Sequence, residues 1–328
     1  MPFDVNEISE KANGGTEQQV ARISTALDPE LIEKFQIIPS RIRELDPNKI
    51  RILWQHDLPG DPESQHLKDG GWKKFNKIVF VSHYQKNAYQ IHFDIPASHC
   101  IVLQNAIEPL KFKKPRAAFI NLIYHSTPHR GLELLIPVYE KLCEKHDDIH
   151  LTVFSSFELY GWKERDEQYK ELFDRIKANR RITYHGTQPN DIVRDHLENS
   201  DIFAFPSIWP ETSCIALVEA MSAGLICVHP DLAALPETSA NWTNQYCYYE
   251  KPNDHANVFY SMLDSAIDEA RNLSENLLLK LETQKAYIDT FYSMEVRKTQ
   301  WTNFLTMMQN EPILPVEIEQ NIFSYSTT

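Results

Sequence analysis

Residues 205–230, FPSIWPETSCIALVEAMSAGLICVHP, decide the fold that the sequence predicts. The apolar run at residues 201–205 predicts a buried strand, and Pro206 and Pro210 force a loop after it. The run CIALVEAMSA then predicts a helix that ends at Gly224, and LICVH predicts the next strand. Strand, loop, helix and strand in this order form the βαβ pattern of a parallel sheet.

Two carboxylates flank the start of this helix, Glu211 in the loop and Glu219 in the helix. If the segment were wholly helical, eight steps of ~1.5 Å would separate them by roughly 10–12 Å, about the length of a sugar, a diphosphate and a ribose. The helix start between them suits a diphosphate, and each carboxylate can accept hydrogen bonds from sugar hydroxyls. A plainer interpretation is that Glu211 is an acidic residue at a helix start and that Glu219 is a solvated helix residue. The apolar neighbours of Glu219 oppose it, because a carboxylate among them must be paired or hydrogen-bonded.

The pattern PS-x3-E-x7-EAMSAG resembles the E-x7-E signature of the retaining GT-B glycosyltransferases, family 4 in particular. The resemblance implies that Glu211 contacts the hydroxyls of a donor sugar and that Glu219 holds the nucleotide ribose. It also implies that the donor binds along the helix start, at Thr212, Ser213, Cys214 and Ile215. Either Thr212 or Ser213 is expected to cap the helix.

Composition limits the class of protein. The chain has 328 residues, of which 42% are hydrophobic, enough for a sizeable core and two domains. Its formal net charge of -13 argues against tight binding to nucleic acid or an anionic membrane by charge alone. No apolar run is long enough for a membrane span, and the N-terminus lacks a secretory signal. The five scattered cysteines have no metal-site spacing and predict reduced thiols in the cytoplasm.

Near the N-terminus, Gly14 and Gly15 precede a helical pattern in the run GGTE. Paired glycines allow the backbone to approach a ligand closely, although most such pairs are simply turns. GGTE resembles the GG-x-E loop of family 4, which implies that both glycines face the donor. The first strand is expected to be short, at about residues 2–5.

His56 follows the predicted strand at residues 50–55. Ligands of parallel sheets bind at the carboxyl ends of strands, so His56 is a candidate site residue. A histidine bonded to a neighbouring carbonyl is an equally acceptable interpretation. The resemblance to family 4 implies that His56 faces the donor sugar.

A second predicted unit begins with a strand near residues 119–124, which His125 and Arg130 follow. Arg130-Gly131 resembles the Lys-Gly of the family motif whose cations neutralise the donor diphosphate. Arg130 suits that role because it is permanently charged and forked. His125 stands where the family usually has arginine, and it is expected to add a second cation only if it is protonated.

Further along, a strand at residues 181–185 ends in Gly186. By the resemblance, the Gly186 loop places backbone against the nucleotide base. A charged amphipathic helix is predicted at residues 163–178, and three helices are predicted at the C-terminal end of the chain.

The fold that the resemblance implies is GT-B, α/β, with two doubly wound Rossmann-like domains and an interdomain cleft. The expected boundaries are an acceptor domain at 1–112, joined by a helix at about 295–310, a donor domain at 117–292, and a tail at 312–328. The expected activity is retaining, metal-independent hexosyl transfer from a UDP- or GDP-sugar to a hydroxyl acceptor, which is a glycan, a lipid-linked group or another hydroxyl compound. No cofactor, metal or nucleic-acid partner is expected. The alternatives are a nucleotide-sugar epimerase, a non-catalytic nucleotide-sugar binder and a glycosyltransferase for modified DNA bases, which the acidic charge disfavours.

Overall fold

The computed structural model describes residues 14–42, 44–112 and 119–316. The chain divides into two compact units. Among the described residues, unit 1 contains Thr16–Asn105 and residues 294–316, and unit 2 contains residues 14–15 and Ala106–Ser293. The strand expected at residues 2–5 lies outside the described residues.

Unit 1 is built on a four-stranded parallel sheet with the strand order β1-β2-β3-β4. The strands are β1 (Phe35–Pro39), β2 (Ile50–Gln55), β3 (Lys77–Phe80) and β4 (Cys100–Val102). All six residues of β2 are buried, in agreement with the apolar run that predicted it. Strand β1 is not among the predicted strands, because its short apolar run follows directly on a helical pattern and periodicity does not separate the two.

The helices of unit 1 come from both ends of the chain. They are α1 (Gly15–Ala26), α2 (Pro29–Ile32), α3 (His83–Phe93) and the last helix, Met294–Met308. Trp301 of the last helix packs edge-on against Trp54 of β2, with ring centroids 5.0 Å apart. This helix therefore contributes to the core of unit 1.

Unit 2 contains a six-stranded parallel sheet with the order β10-β9-β8-β5-β6-β7. Its strands are β5 (Ile120–His125), β6 (Ile149–Phe154), β7 (Ile182–Tyr184), β8 (Ile202–Ala204), β9 (Ile226–Pro230) and β10 (Asn244–Tyr246). From β5 the chain winds outward through β6 and β7, then returns to the other side of β5 and continues through β8, β9 and β10. This is the doubly wound order, and its switch point lies between β5 and β8.

Among the residues that the structure describes, seven α-helices accompany this sheet. They are α4 (Leu132–Lys145), α5 (Lys170–Ala178), α6 (Asn190–Glu198), α7 (Ile215–Ser222), α8 (Leu235–Ser239), α9 (Pro252–Arg271) and α10 (Glu275–Phe291), and the last helix of the chain is α11. The helix predicted at 163–178 divides into a 3-10 turn, Lys163–Tyr169, and α5. The predicted class, two parallel-sheet α/β units, is confirmed.

The chain enters unit 2 directly after Asn105. The amide of Ile107 donates to the carbonyl of Tyr292 over 2.8 Å, and the amide of Leu110 donates to Oγ of Ser222 over 3.0 Å. These bonds tie the segment after Asn105 to unit 2, so the division falls there.

Candidate active site

The candidate site of unit 2 lies at the carboxyl ends of β5 and β8, on either side of the switch point. The two strands pair in parallel, with Ile123 opposite Phe203. The loops that follow them, residues 126–131 and 205–214, therefore leave the sheet side by side. Ligands of doubly wound sheets bind in this position, which makes the two loops the place to look for chemistry.

Gly131 allows the two loops to approach each other closely. Its φ is 108°, and a Cβ built on it would lie 2.2 Å from the carbonyl oxygen of Pro206 at the start of the second loop. A side chain at this position would both strain the backbone and force the loops apart.

We expect Gly131→Ala to destabilise the protein by roughly 2–4 kcal/mol, the sum of left-handed strain and overpacking. Two other glycines separate these causes. Gly161 has a φ of 77° with nothing within 4 Å of its built Cβ, and Gly60 has open space without a positive φ. The midpoint of thermal unfolding should therefore be highest for Gly60→Ala, lower for Gly161→Ala and lowest for Gly131→Ala. Equal midpoints for the last two would show that the loop contact is not rigid.

The close approach brings Arg130 and Glu211 together. Nε of Arg130 lies 3.2 Å from Oε1 of Glu211, and both side chains are largely buried. These two atoms form no aligned hydrogen bond with each other or with other described residues. Nη1 of Arg130 lies 3.4 Å from Oγ of Ser126. The pair balances its charges and keeps hydrogen-bonding capacity that a ligand can use.

The surroundings of the pair keep Arg130 cationic. Burial raises the pKa of the Glu211 carboxyl, and the guanidinium acts in the opposite direction. Burial lowers the pKa of Arg130. The charge of Glu211 raises it, with further contributions from Tyr160, Cys214 and Tyr124, and the resulting pKa lies above its ordinary value. A fixed positive charge at the switch point suits an anionic ligand.

Helix α7 begins directly after this pair. Its N-cap residue is Cys214, which makes no side-chain capping hydrogen bond. The expectation that Thr212 or Ser213 caps the helix is wrong, because the segment is held in loop form up to Cys214. The carbonyl of Glu211 accepts the amide of Ala234 over 3.1 Å, while its carboxylate faces Arg130. The carboxylate of Glu211 is therefore engaged with Arg130 beside the start of α7.

Glu219 lies in the second turn of α7 and is 2% exposed. Its Oε1 forms an ion pair with Nη1 of Arg194 on α6 over 3.2 Å. The apolar neighbours of Glu219 predicted a buried, paired carboxylate, and the structure has one. The interpretation as a solvated helix residue is excluded.

His125 is the last residue of β5 and is half-buried, with its ring 5.2 Å from that of Phe203. Burial lowers its pKa to about 4, and a hydrogen bond to the backbone of Ala216 opposes this shift. A second cation would require the opposite direction, so His125 is neutral at pH 7. Its Nε2 has no hydrogen-bond partner within the part of the chain that the structure describes. The ring of His125 is thus neutral and lies beside the start of α7.

The glycines of the predicted site lie at two places in unit 2. Gly14 is buried, and a Cβ built on Gly15 would lie 3.1 Å from Cδ1 of Ile215, the first residue of α7. This segment therefore lies beside the helix start. Gly186, with a φ of 64°, follows β7 at the carboxyl edge of the sheet.

His56 belongs to unit 1, where it follows β2. Its amide donates to Oγ of Ser40 over 2.9 Å, and its ring lies 4.6 Å from that of Trp54. Burial lowers the pKa of His56 to about 3, so the ring is neutral at pH 7. The structure places it at the carboxyl edge of the unit 1 sheet, as predicted.

Sequence reasoning missed two features of the site. Arg194 lies on an amphipathic helix, and its sequence context gives no sign that it meets Glu219. At the carboxyl ends of β6 and β7, the rings of Phe154 and His185 stack 4.7 Å apart, and His196 packs against both. His185 follows a short apolar run, a signal too common to single it out, and His196 lies within a charged helical pattern that does not single it out either.

Within residues 14–42, 44–112 and 119–316, no three His, Cys, Asp or Glu side chains are grouped so that they could hold a metal ion. Over the same residues, every helix is too short or too polar to cross a bilayer.

Known proteins resemble this chain in sequence and in structure. Residues 107–278, more than half of the chain, match the profile of a family described as glycosyl transferases group 1. The phosphatidylinositol N-acetylglucosaminyltransferase GPI3 subunit of Saccharomyces cerevisiae is 24% identical over 192 residues, which are 55% of this chain and 41% of that protein. The chain thus spans less than half the length of this curated relative.

Solved structures of glycosyltransferases and related proteins resemble most of the chain, and two serve as examples. A glycosyltransferase from Rickettsia africae superimposes with a TM-score of 0.65 and 17% identity, covering 93% of this chain and 85% of that one. Anabaena HepE in complex with UDP-glucose superimposes with a TM-score of 0.58 and 13% identity, covering 79% of this chain and 72% of that one. These likenesses show the fold, which is GT-B as the sequence predicted.

Proposed function

We propose that this chain, which belongs to the glycosyl transferases group 1 family, moves a sugar from a nucleotide-sugar donor to a hydroxyl group of an acceptor. The observation that carries the proposal is the buried Arg130–Glu211 pair at the switch point, beside the start of α7. A nucleotide sugar carries a diphosphate between two hydroxyl-rich rings. The site offers a cation and a helix start between two buried carboxylates, Glu211 and Glu219.

Each residue then has a separate task. Arg130 and the start of α7 bind the diphosphate, Glu211 accepts hydrogen bonds from the donor sugar, and Glu219 accepts them from the ribose. The bond from the anomeric carbon to the diphosphate breaks with its electron pair on the diphosphate. The acceptor oxygen bonds to that carbon, and its proton passes to an oxygen of the departing diphosphate. Arg130 matters most at this step, because negative charge grows on the leaving group.

The two histidines act as neutral groups in this proposal. His125 lies beside α7, and its Nε2 accepts a hydrogen bond from a hydroxyl of the donor. His56, also neutral, orients the donor sugar. The segment at Gly14 and Gly15 presents backbone to the donor, and the loop at Gly186 presents it to the base.

Several finer features belong to the same proposal. A hexosyl or N-acetylhexosaminyl group on UDP is favoured by the UDP-glucose complex of Anabaena HepE and by the N-acetylglucosaminyltransferase named for the yeast relative. Transfer with retention of the anomeric configuration is proposed from the resemblance of the E-x7-E pattern alone. Transfer without a metal is proposed because Arg130 and the helix dipole face the diphosphate. We also propose a cytoplasmic location, because all five cysteines are free thiols, as is usual in a reducing compartment.

A thermal-shift screen tests donor binding. We expect UDP or a UDP-sugar to raise the melting temperature in buffer containing EDTA, with GDP and GDP-mannose as the competing candidates. A ligand at 100 times its Kd stabilises the folded state by about 2.7 kcal/mol. A shift that EDTA abolishes and Mg²⁺ or Mn²⁺ restores would contradict metal independence, and no shift with any nucleotide would contradict the function.

The identified donor is then incubated with a panel of hydroxyl acceptors, and the products are separated by chromatography. A glycosylated acceptor with retained configuration supports the proposal. Conversion of the donor sugar to an epimer without transfer would favour an epimerase, and tight binding with no turnover would favour a non-catalytic binder.

A further inference from the structure

We propose that Arg194 is a positioning residue that orients Glu219 for recognition of the nucleotide ribose. The inference rests on the proposed function, because it concerns how one carboxylate of that site is held. Arg194 lies on α6 and pairs with Glu219 over 3.2 Å. Neither the E-x7-E pattern nor the family motifs in this sequence include it.

The guanidinium of Arg194 is fixed at more than one point. Nη1 donates to Oε1 of Glu219, while Nη2 donates to the carbonyl of Glu108 over 2.8 Å and lies 3.4 Å from the carbonyl of Pro109. Two nitrogens of one planar fork thus make contacts to different segments, which sets the direction of the fork. A lysine has a single nitrogen on a flexible stem and cannot reproduce this arrangement.

The segment that receives Nη2 is itself anchored to unit 2. The amide of Leu110 donates to Oγ of Ser222, which in turn donates to Asp289 over 2.6 Å. Ser222 lies on α7, the helix that carries Glu219. Arg194 therefore joins Glu219 to backbone that is attached to the same helix, and the carboxylate cannot turn without disturbing this set of bonds.

Burial explains why Glu219 needs such a partner. At 2% exposure a lone carboxylate would carry a large desolvation cost, which the nearby cation offsets. An ionised carboxylate offers about four lone-pair sites, so the bond from Arg194 does not exhaust its capacity. Held in one orientation, Glu219 can accept from the ribose hydroxyls without a loss of side-chain entropy on binding.

The test measures discrimination between ribose and its deoxygenated form. Kd values are measured by calorimetry for UDP and for 2′,3′-dideoxy-UDP on the full chain, and GDP with its dideoxy form is used if the wild type binds GDP instead. The wild type should bind the ribonucleotide roughly 10- to 100-fold more tightly, as expected for charge-assisted hydrogen bonds. Arg194→Met should reduce this ratio to about threefold or less and leave the Kd of the dideoxy form nearly unchanged.

Three further variants separate positioning from general damage. Arg194→Lys should restore part of the ratio, since the charge is kept and the fork is lost. In a Glu219→Gln background, Arg194→Met should change the ratio by less than about twofold, because both substitutions act on one interaction. Arg175→Met is the matched control, because Arg175 pairs with Glu140 at the surface, and it should behave as the wild type.

Kinetics provide a second measurement. Arg194→Met should raise the KM for the donor and leave kcat within about threefold, because the ribose is held alike in the ground and transition states. A folded Arg194→Met protein that keeps the wild-type ratio overturns the inference while the proposed function stands. If Arg194→Met does not fold, Arg194→Lys decides, and a wild-type ratio in that variant is the overturning result. A wild type that binds neither UDP nor GDP overturns the proposed function and the inference together.

Discussion

Arg130→Met is expected to lower kcat by about 10²-fold or more, which is the scale on which single preorganised groups stabilise charge in a transition state. The leaving diphosphate gains negative charge as the bond to the sugar breaks, so its cation contributes more there than in the ground state. Steady-state kinetics with the identified donor measure the effect. The donor KM should change less than kcat, because part of the binding comes from Glu211, Glu219 and the base.

Arg130→Met has two effects, the loss of the cation at the diphosphate and the loss of the ion-pair partner of Glu211, and further variants separate them. Glu211 is 6% exposed and pairs with Arg130, so Arg130→Met leaves a carboxylate buried without its cation. Arg130→Met/Glu211→Gln removes the pair together and should remain as slow as Arg130→Met. Arg130→Lys should recover part of kcat, because it keeps the charge without the fork.

Arg165→Met is the matched control. Arg165 lies over the ring of Trp162 at 4.2 Å and acts electrostatically on His129, next to Arg130, so its removal tests for a general field effect. The kcat of Arg165→Met should stay within about threefold of the wild-type value, as expected for the loss of a partly screened charge. If Arg130→Met retains more than about a third of wild-type kcat, the diphosphate does not bind at Arg130.

Strands β5, β7, β8 and β9 and the two carboxylates could be predicted from the sequence because their signals are local, whereas β10 was not predicted. The apolar runs are short, and Gly and Pro mark their ends. The burial of Glu219 could also be predicted, since its immediate neighbours on the helix are apolar. Its partner could not, because Arg194 is 25 residues away and its helix has the pattern of a solvated one.

Three features that the sequence did not predict have tertiary causes. Thr212 and Ser213 have the right chemistry for a cap, but the bond from Ala234 and the attraction of Arg130 hold Glu211 in a loop, so the helix starts later. His125 stands at a cation position in the sequence, yet burial at the end of β5 lowers its pKa to about 4. The close approach at Gly131 depends on a carbonyl 75 residues away along the chain, which no local pattern reveals.

Glu219→Gln is expected to weaken binding of the nucleotide roughly 10- to 100-fold, the range of a lost charge-assisted hydrogen bond. The substitution keeps the shape of the side chain and removes its charge. The ribose keeps the same contacts while the sugar is transferred, so we expect kcat at saturating donor to stay within about threefold of the wild type. Glu219→Gln is thus expected to change donor affinity more than kcat, whereas Arg130→Met is expected to change kcat more than donor affinity.

Calorimetry with UDP and steady-state kinetics on the same preparations measure the two quantities. Glu140→Gln is the control, because Glu140 is also paired with an arginine but lies at the surface, and it should leave both unchanged. Glu219→Ala should lose at least as much affinity, with an additional loss of stability because Arg194 is left partly buried without its carboxylate. If a folded Glu219→Gln protein binds UDP with wild-type affinity, Glu219 does not contact the donor. Its role would then be structural, as the ion-pair partner of Arg194. Equal losses in kcat and affinity would instead place Glu219 near the reacting sugar, where its charge would act on the bond that breaks.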